Sequence, residues 1–179
     1  MADRNTEIKT ANNFYDINGL IEEQIRLLDS VGPYIIKKAI IGGNEEITQI
    51  TPEDSTAWSK EMNIFKAADI NKPLLRDSYQ IEDVSVGNMS TTSYKSKNRG
   101  KTIVEELSIQ FVQNTQKPIK IHASLDSRNL LFNSVKTLEM HFQNINGKQM
   151  IRQYKSDGWQ KMISKDSTYY SIVAEVVYP

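Results

Sequence analysis

The chain has 179 residues, of which 39% are hydrophobic and 25% charged, as in an ordinary folded domain. Lys and Arg total 22, as do Asp and Glu, so the basic excess typical of nucleic-acid-binding proteins is missing and we expect no nucleic-acid partner. The sequence has no Cys, which excludes thiol nucleophiles, disulfides, Cys-zinc sites and iron–sulfur clusters. No apolar run approaches the roughly 20 residues of a membrane helix.

The first predicted element is a helix over 17–31. Asp16 precedes it as a cap, and Gly32-Pro33 ends it. Residues at helical spacing predict one apolar stripe with a single polar member, namely Ile17, Leu20, Ile21, Gln24, Leu27 and Leu28.

A hairpin and a second helix follow. Residues 34–41 are rich in Ile, Gly42-Gly43-Asn44 supplies a turn, and residues 45–51 alternate, which together predict two antiparallel strands. Thr-Pro-Glu-Asp at 51–54 then predicts a helix start with Thr51 as cap. We expect this helix to run to about Asp69, with Trp58, Met62 and Phe65 on one face.

From about Ser78 to the end, the pattern predicts strands only. Apolar residues alternate with polar ones in four groups, which are Ile103, Leu107, Ile109 and Phe111; Ile119, Ile121, Ala123 and Leu125; Leu138, Met140 and Phe142; and Tyr170, Ile172, Ala174, Val176 and Tyr178. Short turns, such as the one predicted from Asn114 to Pro118, join successive strands. This order predicts an α+β fold with two helices packed on a curved, mostly antiparallel meander sheet, a half barrel like that of lipoprotein carriers. We expect residues 1–12 to be a disordered segment or linker and 13–179 to form a single domain.

Two histidines and nearby acids are the candidates for chemistry. His122 and His141 lie on the polar registers of their strands, and Glu139 or Glu175 would join them if those strands pair. Such a set suits zinc or general base catalysis, so a metal-dependent or acid/base hydrolase is one hypothesis. Exposed strand histidines without a ligand are the alternative that we favour, because no metal motif of fixed spacing is present.

No other catalytic or cofactor motif is present. The sequence has no G-x-S-x-G, and Gly42-Gly43 precedes a strand rather than a helix, which indicates a turn and not a phosphate-binding loop. We therefore expect no cofactor and no enzymatic activity.

Aromatic residues are the candidates for a ligand site. Nine of them would line a hollow between a curved sheet and its helices or would simply fill the core, namely Tyr34, Phe65, Tyr79, Phe111, Phe132, Phe142, Trp159, Tyr169 and Tyr170. Five are our ligand-binding candidates, namely Phe65, Tyr79, Phe111, Phe132 and Phe142. The polar cluster beside the helix end is a second candidate site, a loop with either a structural or a ligand-binding role, formed by Asp69, Asn71, Arg76 and Asp77.

One block of the sequence resembles a known family. The segment FKAADINKPLLRDSY at 65–79 resembles the F-x-x-A-D-I-N-K-P block, followed by D-S-Y, of uncharacterised lipoproteins from Bacteroidota. Weaker matches are Tyr15-Asp16-Ile17 at the first helix and NLLFNS at 129–134. The family's later Y-x-I-x-G-x-Q element has only a faint counterpart here.

The resemblance implies a location but no activity. Such proteins are exported and held in the periplasm or at the outer membrane by a lipid on a Cys, which would lie upstream of Ala2 and outside this chain. Membrane contact would then come only through that anchor. Our first hypothesis is a non-enzymatic envelope domain that binds a lipid, another hydrophobic molecule or an envelope protein. A structural subunit of an outer-membrane assembly is a further alternative.

Overall fold

The computed structural model describes residues 14–112, 115 and 117–179. It shows an α+β fold in which two helices accompany one open antiparallel sheet of nine strands. The predicted N-terminal segment 1–12 lies outside the described residues, as does part of the predicted turn from Asn114 to Pro118.

The first helix is confirmed with its predicted bounds. Helix α1 spans Ile17–Val31, and the Asp16 carboxylate accepts a hydrogen bond from the backbone N–H of Gly19 at 2.9 Å. Gly32 ends the helix in the left-handed conformation, with φ of 67°, which glycine adopts at little cost. The predicted hairpin is also confirmed, as β1 (Tyr34–Ile41) and β2 (Asn44–Ile50).

The second helix differs from its prediction. Helix α2 spans only Ser55–Met62 and is capped by Asp54, whose carboxylate accepts from the N–H of Ala57 at 2.8 Å, so the prediction of Thr51 as cap is wrong. The chain then continues as a 3-10 helix over Asn63–Ala68, a tighter coil that is common at helix ends. A second 3-10 turn spans Pro73–Leu75. The predicted apolar face is confirmed, because Trp58, Met62 and Phe65 are buried.

The remaining seven strands form a meander. They are β3 (Tyr79–Val86), β4 (Met89–Ser96), β5 (Val104–Val112), β6 (Pro118–Arg128), β7 (Phe132–Ile145), β8 (Lys148–Met162) and β9 (Thr168–Val177). The strand order is β2-β1-β9-β8-β7-β6-β5-β4-β3, with every neighbouring pair antiparallel. The first hairpin therefore joins the last strand, and β2 and β3 form the two edges of the sheet.

The helices cover one face of the sheet, which we call the inner face. Its strands contribute the predicted alternating core residues, such as Leu107, Ile121 and Leu138. The expectation for Ile103 is wrong, because β5 begins at Val104 and Ile103 is exposed. A register shift between Val104 and Glu106 gives the core position to Val104. The opposite face carries the polar register, and we call it the outer face.

Candidate functional site

The five aromatic candidates do not line one hollow. Phe65, Tyr79 and Phe142 are buried in the core between the sheet and the helices. Phe111 is half-buried and packs against Tyr15, with ring centroids 5.8 Å apart. Phe132 is also half-buried and begins β7, where it lies opposite Met162. The aromatic set therefore mostly contributes to packing.

Helix α1 borders two shallow depressions near Phe111. They have volumes of about 420 and 300 Å³ and share Tyr15, Leu20 and Glu23. Thr115 lines one of them, and the residues on either side of Thr115 lie outside the described part of the chain. We therefore place no site there.

The loop candidates separate into two pairs. Asp69 accepts from the Asn18 side-chain amide at 2.9 Å and from the Asn71 N–H at 3.0 Å. Asn71 in turn donates to the carbonyl of Tyr15 at 2.9 Å and accepts from the N–H of Phe14 at 3.3 Å. Their polar atoms are thus used to hold this loop on the start of α1.

Arg76 and Asp77 lie beyond the second 3-10 turn, just before β3. Lys97 donates to the backbone carbonyl of Asp77 at 3.0 Å. Among the described residues, no ion pair involves Arg76. These two residues lie on the surface of the molecule and take no part in the hydrogen bonds by which Asp69 and Asn71 hold the loop on the start of α1.

The two histidines meet on the outer face, around Glu139. Strands β6 and β7 pair so that His122 lies opposite Glu139 and Lys120 opposite His141. One carboxylate oxygen of Glu139 lies 3.2 Å from His122 Nδ1, and the other lies 3.2 Å from His141 Nε2. The Lys120 ammonium is 3.2 Å from this second oxygen. Glu175 lies two strands away and accepts from Gln153 at 3.5 Å.

The charges and hydrogen bonds of this cluster keep the Glu139 carboxylate ionised. Burial opposes ionisation, but the contacts with His141, Lys120 and His122 outweigh it and lower the pKa of Glu139 to about 2. So weak a base is poorly suited to general base catalysis near neutral pH. Within the described ranges, no group of three or more His, Cys, Asp or Glu side chains is arranged to hold a metal ion.

The outer face carries an apolar depression whose aromatic residues are not among the five ligand-binding candidates. Strands β1, β8 and β9 surround a depression of about 420 Å³, lined by Ile40, Gly43, Asp157, Gly158, Trp159, Tyr169, Tyr170 and Ser171. We call it the Trp159 depression. Trp159 lies directly opposite Tyr169 in the pairing of β8 with β9. Tyr169 belongs to the register that faces water, and two-thirds of its surface is exposed.

The polar groups of the Trp159 depression are already fixed. Asp157 accepts from the Ser171 hydroxyl at 2.5 Å, and its second oxygen lies 2.6 Å from the Lys155 ammonium. The depression therefore offers an aromatic and aliphatic surface bounded by a neutralised carboxylate. Such a surface suits a flat apolar or amphipathic molecule. The signal in the sequence is an aromatic residue at a water-facing strand position on each of two neighbouring strands.

A larger depression lies nearer to the other edge of the sheet. It has a volume of about 850 Å³ and a polar lining that includes Lys95, Arg128 and Asp126. Lys95 pairs with Glu82 at 2.8 Å, and Arg128 pairs with Asp126 at 2.6 Å. Because these charges are paired and open to water, we rank this depression below the apolar one as a ligand site.

No protein-family model, no curated protein and no solved structure matches this chain. Within its described residues, the chain has no helix that is long and apolar enough to cross a bilayer.

Proposed function

We propose that this chain is a non-enzymatic binding domain of the bacterial envelope, and that it holds a hydrophobic small molecule on the Trp159 depression. The observation that supports this proposal is the pair Trp159 and Tyr169 on the outer face. Aromatic side chains at water-facing positions leave apolar area exposed without any return in core packing, and a bound molecule would cover that area.

The volume and position of the depression support a small ligand. About 420 Å³ falls within the range of roughly 300–1,000 Å³ usual for small-molecule sites. The core under the helices is filled by side chains such as Trp58 and Phe65, so the ligand that we propose binds on the sheet and not inside it. The lipoprotein-carrier-like half barrel remains our proposal for the curvature of the sheet. The periplasmic or outer-membrane location rests on the resemblance at 65–79.

Native mass spectrometry of gently purified protein, with an organic extract in parallel, tests this proposal. We expect an excess mass that extracts as a hydrophobic compound. A fluorescent fatty acid serves as the probe, and we expect it to bind the protein and to be displaced by the extract. Trp159→Ala should weaken probe binding by about tenfold, since an aromatic contact with its buried area contributes about 1–2 kcal/mol. Ile47→Ala is the matched control, because it removes an exposed apolar side chain from β2. Equal probe binding by the two variants would contradict the proposal.

A protein partner at the edge strand β3 is the second candidate. Strand β3 pairs only with β4 within the described chain, and its Ile81, Val84 and Val86 are exposed. An apolar edge of this kind accepts a strand from another chain. Replacing Val84 with Lys should then abolish co-purification of a partner and leave the binding of the hydrophobic probe unchanged. This candidate also covers a structural subunit of an outer-membrane assembly.

The hydrolase reading has less support. His122 and His141 lie together as the sequence suggested, but both contact a carboxylate whose pKa is about 2. Hydrolysis by the wild-type protein that is lost in His122→Ala and in His141→Ala would support the hydrolase hypothesis instead.

A further inference from the structure

Four loops leave the sheet at the same end, which we call the loop end. Besides the β1–β2 turn, they are residues 72–77 before β3, 97–103 between β4 and β5, 129–131 between β6 and β7, and 163–167 between β8 and β9. We include in this end the adjoining strand residues 127–128 of β6 and 161–162 of β8. Backbone hydrogen bonds link this end together, namely Lys97 N–H to Ser78 at 2.9 Å, Asp126 N–H to Ile103 at 2.8 Å, and Ile163 N–H to Leu131 at 3.0 Å. The loop end is therefore one surface built from adjacent loops.

Apolar side chains stand out from this surface. Single exposed hydrophobic residues are common and need no explanation, but each of these loops carries at least one. They are Leu74 with 95% of its surface exposed, Ile103, Leu130 with 96%, Leu131, Met162 and Ile163. Leu131 and Ile163 are joined by a backbone hydrogen bond, so the most apolar part of the surface spans two neighbouring loops.

The same loops carry a strong positive charge. Although the whole chain is neutral, the four loops and the adjoining strand residues 127–128 and 161–162 hold eight cations and two acids, which are Lys72, Arg76, Lys97, Arg99, Lys101, Arg128, Lys161 and Lys165 against Asp77 and Asp166. Glu105 of β5 adds one acid beside them, because its carboxylate accepts from the Gly100 N–H at 2.8 Å. Arg128 is paired with Asp126 of β6, which leaves a large excess of cations. The neutral total therefore conceals a marked asymmetry.

We propose that the loop end docks on an anionic lipid bilayer, with Leu130, Leu131, Met162 and Ile163 inserted between the headgroups and the surrounding Lys and Arg on lipid phosphates. Exposed apolar tips ringed by cations are the combination that binds such an interface, because apolar burial and electrostatic attraction add.

The chemistry favours lipid over other anionic partners. Single-stranded nucleic acid is bound through aromatic stacking, and the exposed hydrophobic residues of the four loops include no aromatic residue, the exposed Tyr169 being on β9. Separate side chains on separate loops also suit the gaps between headgroups better than a flat protein surface. The inference rests on the loops alone, and it holds whether or not the Trp159 depression takes a ligand.

Co-sedimentation with vesicles is the test. We expect the wild-type protein to bind vesicles that mix phosphatidylcholine with phosphatidylglycerol, to bind pure phosphatidylcholine weakly, and to lose affinity as salt is raised. Leu130→Ser with Leu131→Ser should weaken binding by at least about tenfold. Lys161→Gln should weaken it by about fivefold. The matched controls are Ile47→Ser on β2 and Lys148→Gln at the opposite end of the sheet, and neither should matter.

A single fluorescent label tests the orientation on the membrane. Because the chain has no Cys, Ser167→Cys puts a unique label at the loop end, and Asn88→Cys puts one in the turn at the opposite end. The emission of the first label should shift to the blue on anionic vesicles, and that of the second should not.

Three results would overturn the proposal. The first is no vesicle binding by the wild-type protein at low salt. The second is binding that the leucine variant leaves unchanged, which would mean a purely electrostatic contact with any polyanion. The third is an equal shift of both labels. Probe binding at the Trp159 depression is measured without vesicles, so failure here stays distinguishable from failure of the proposed function.

Discussion

Gln24 of α1 and Ile151 of β8 are joined by a hydrogen bond, in which the Gln24 side-chain oxygen accepts from the Ile151 backbone N–H at 2.9 Å. The Gln24 amide also donates to the Gln149 carbonyl at 2.9 Å, and the side chain is only 1% exposed. Next to these residues, the pairing of β7 with β8 shifts its register between His141 and Phe142. The one polar residue in the apolar stripe thus satisfies backbone groups of a sheet irregularity.

Replacing Gln24 with Leu should therefore destabilise the fold. The substitution keeps the helical apolar pattern but leaves a buried N–H and a buried carbonyl unpaired, at a cost of about 1–3 kcal/mol. Urea denaturation measures the free energy of unfolding. Gln49→Leu on the exposed strand β2 is the control and should change stability by less than about 0.5 kcal/mol. If Gln24→Leu is as stable as the wild type, the hydrogen bonds to β8 do not matter.

Substitution with Met should cost much more stability at Lys37 than at Lys38. Lys37 lies on the inner face, and its ammonium is 2.5 Å from the Glu61 carboxylate of α2, which also accepts from the Tyr154 hydroxyl. Lys37→Met leaves this half-buried carboxylate with one partner and should cost about 1–3 kcal/mol. Lys38 pairs with Glu45 in water, so Lys38→Met should cost less than about 0.5 kcal/mol. Equal losses in urea denaturation would mean that α2 is not held by Glu61.

Glu139 should make stability depend on acidity over a defined range. Its pKa in the folded protein is about 2, below its ordinary value of 4.5, so its stabilising effect is complete above 4.5 and is lost as the pH falls towards 2. We expect about 1 kcal/mol after allowance for its partial exposure.

Glu139→Gln should remove that part of the acid dependence, whereas Glu53→Gln on the exposed segment before α2 should not. Unfolding free energies at a series of pH values measure the effect, and a carboxyl NMR titration gives the pKa directly. An NMR midpoint near 4.5 for Glu139 would contradict the contacts around it.

Gly158 and Ser156 lie two residues apart on β8 and should give opposite results. A Cβ at Gly158 would lie 2.4 Å from the backbone oxygen of Val135, so Gly158→Ala should cost about 1–3 kcal/mol, even though alanine ordinarily suits a strand better than glycine. The buried Ser156 hydroxyl has no hydrogen-bond partner, so Ser156→Ala should be neutral or stabilising. Thermal unfolding compares the two. A neutral Gly158→Ala would mean that β7 and β8 lie further apart there.

The sequence determined the local elements of this protein. The spacing of apolar residues and the residues at each end of α1 predicted its bounds, and Gly42-Gly43 predicted the first hairpin. These signals act within a few residues, through capping, turn conformation and the alternation of side chains along a strand. The α+β class could also be predicted, because helical patterns come first along the chain and strand patterns follow. The start of α2 could not be predicted, because Asp54 and Thr51 are both acceptable caps.

The tertiary structure alone decided which residues meet. The pairing of β1 with β9 joins residues that are more than 100 positions apart, and no local pattern encodes that choice. It also buried Phe65 and Tyr79 in the core, brought Lys120 and both histidines to Glu139, and left Trp159 on the outer face. The loop end arises in the same way, because each of its loops is ordinary in sequence and only the shared strand ends gather their charges and apolar tips.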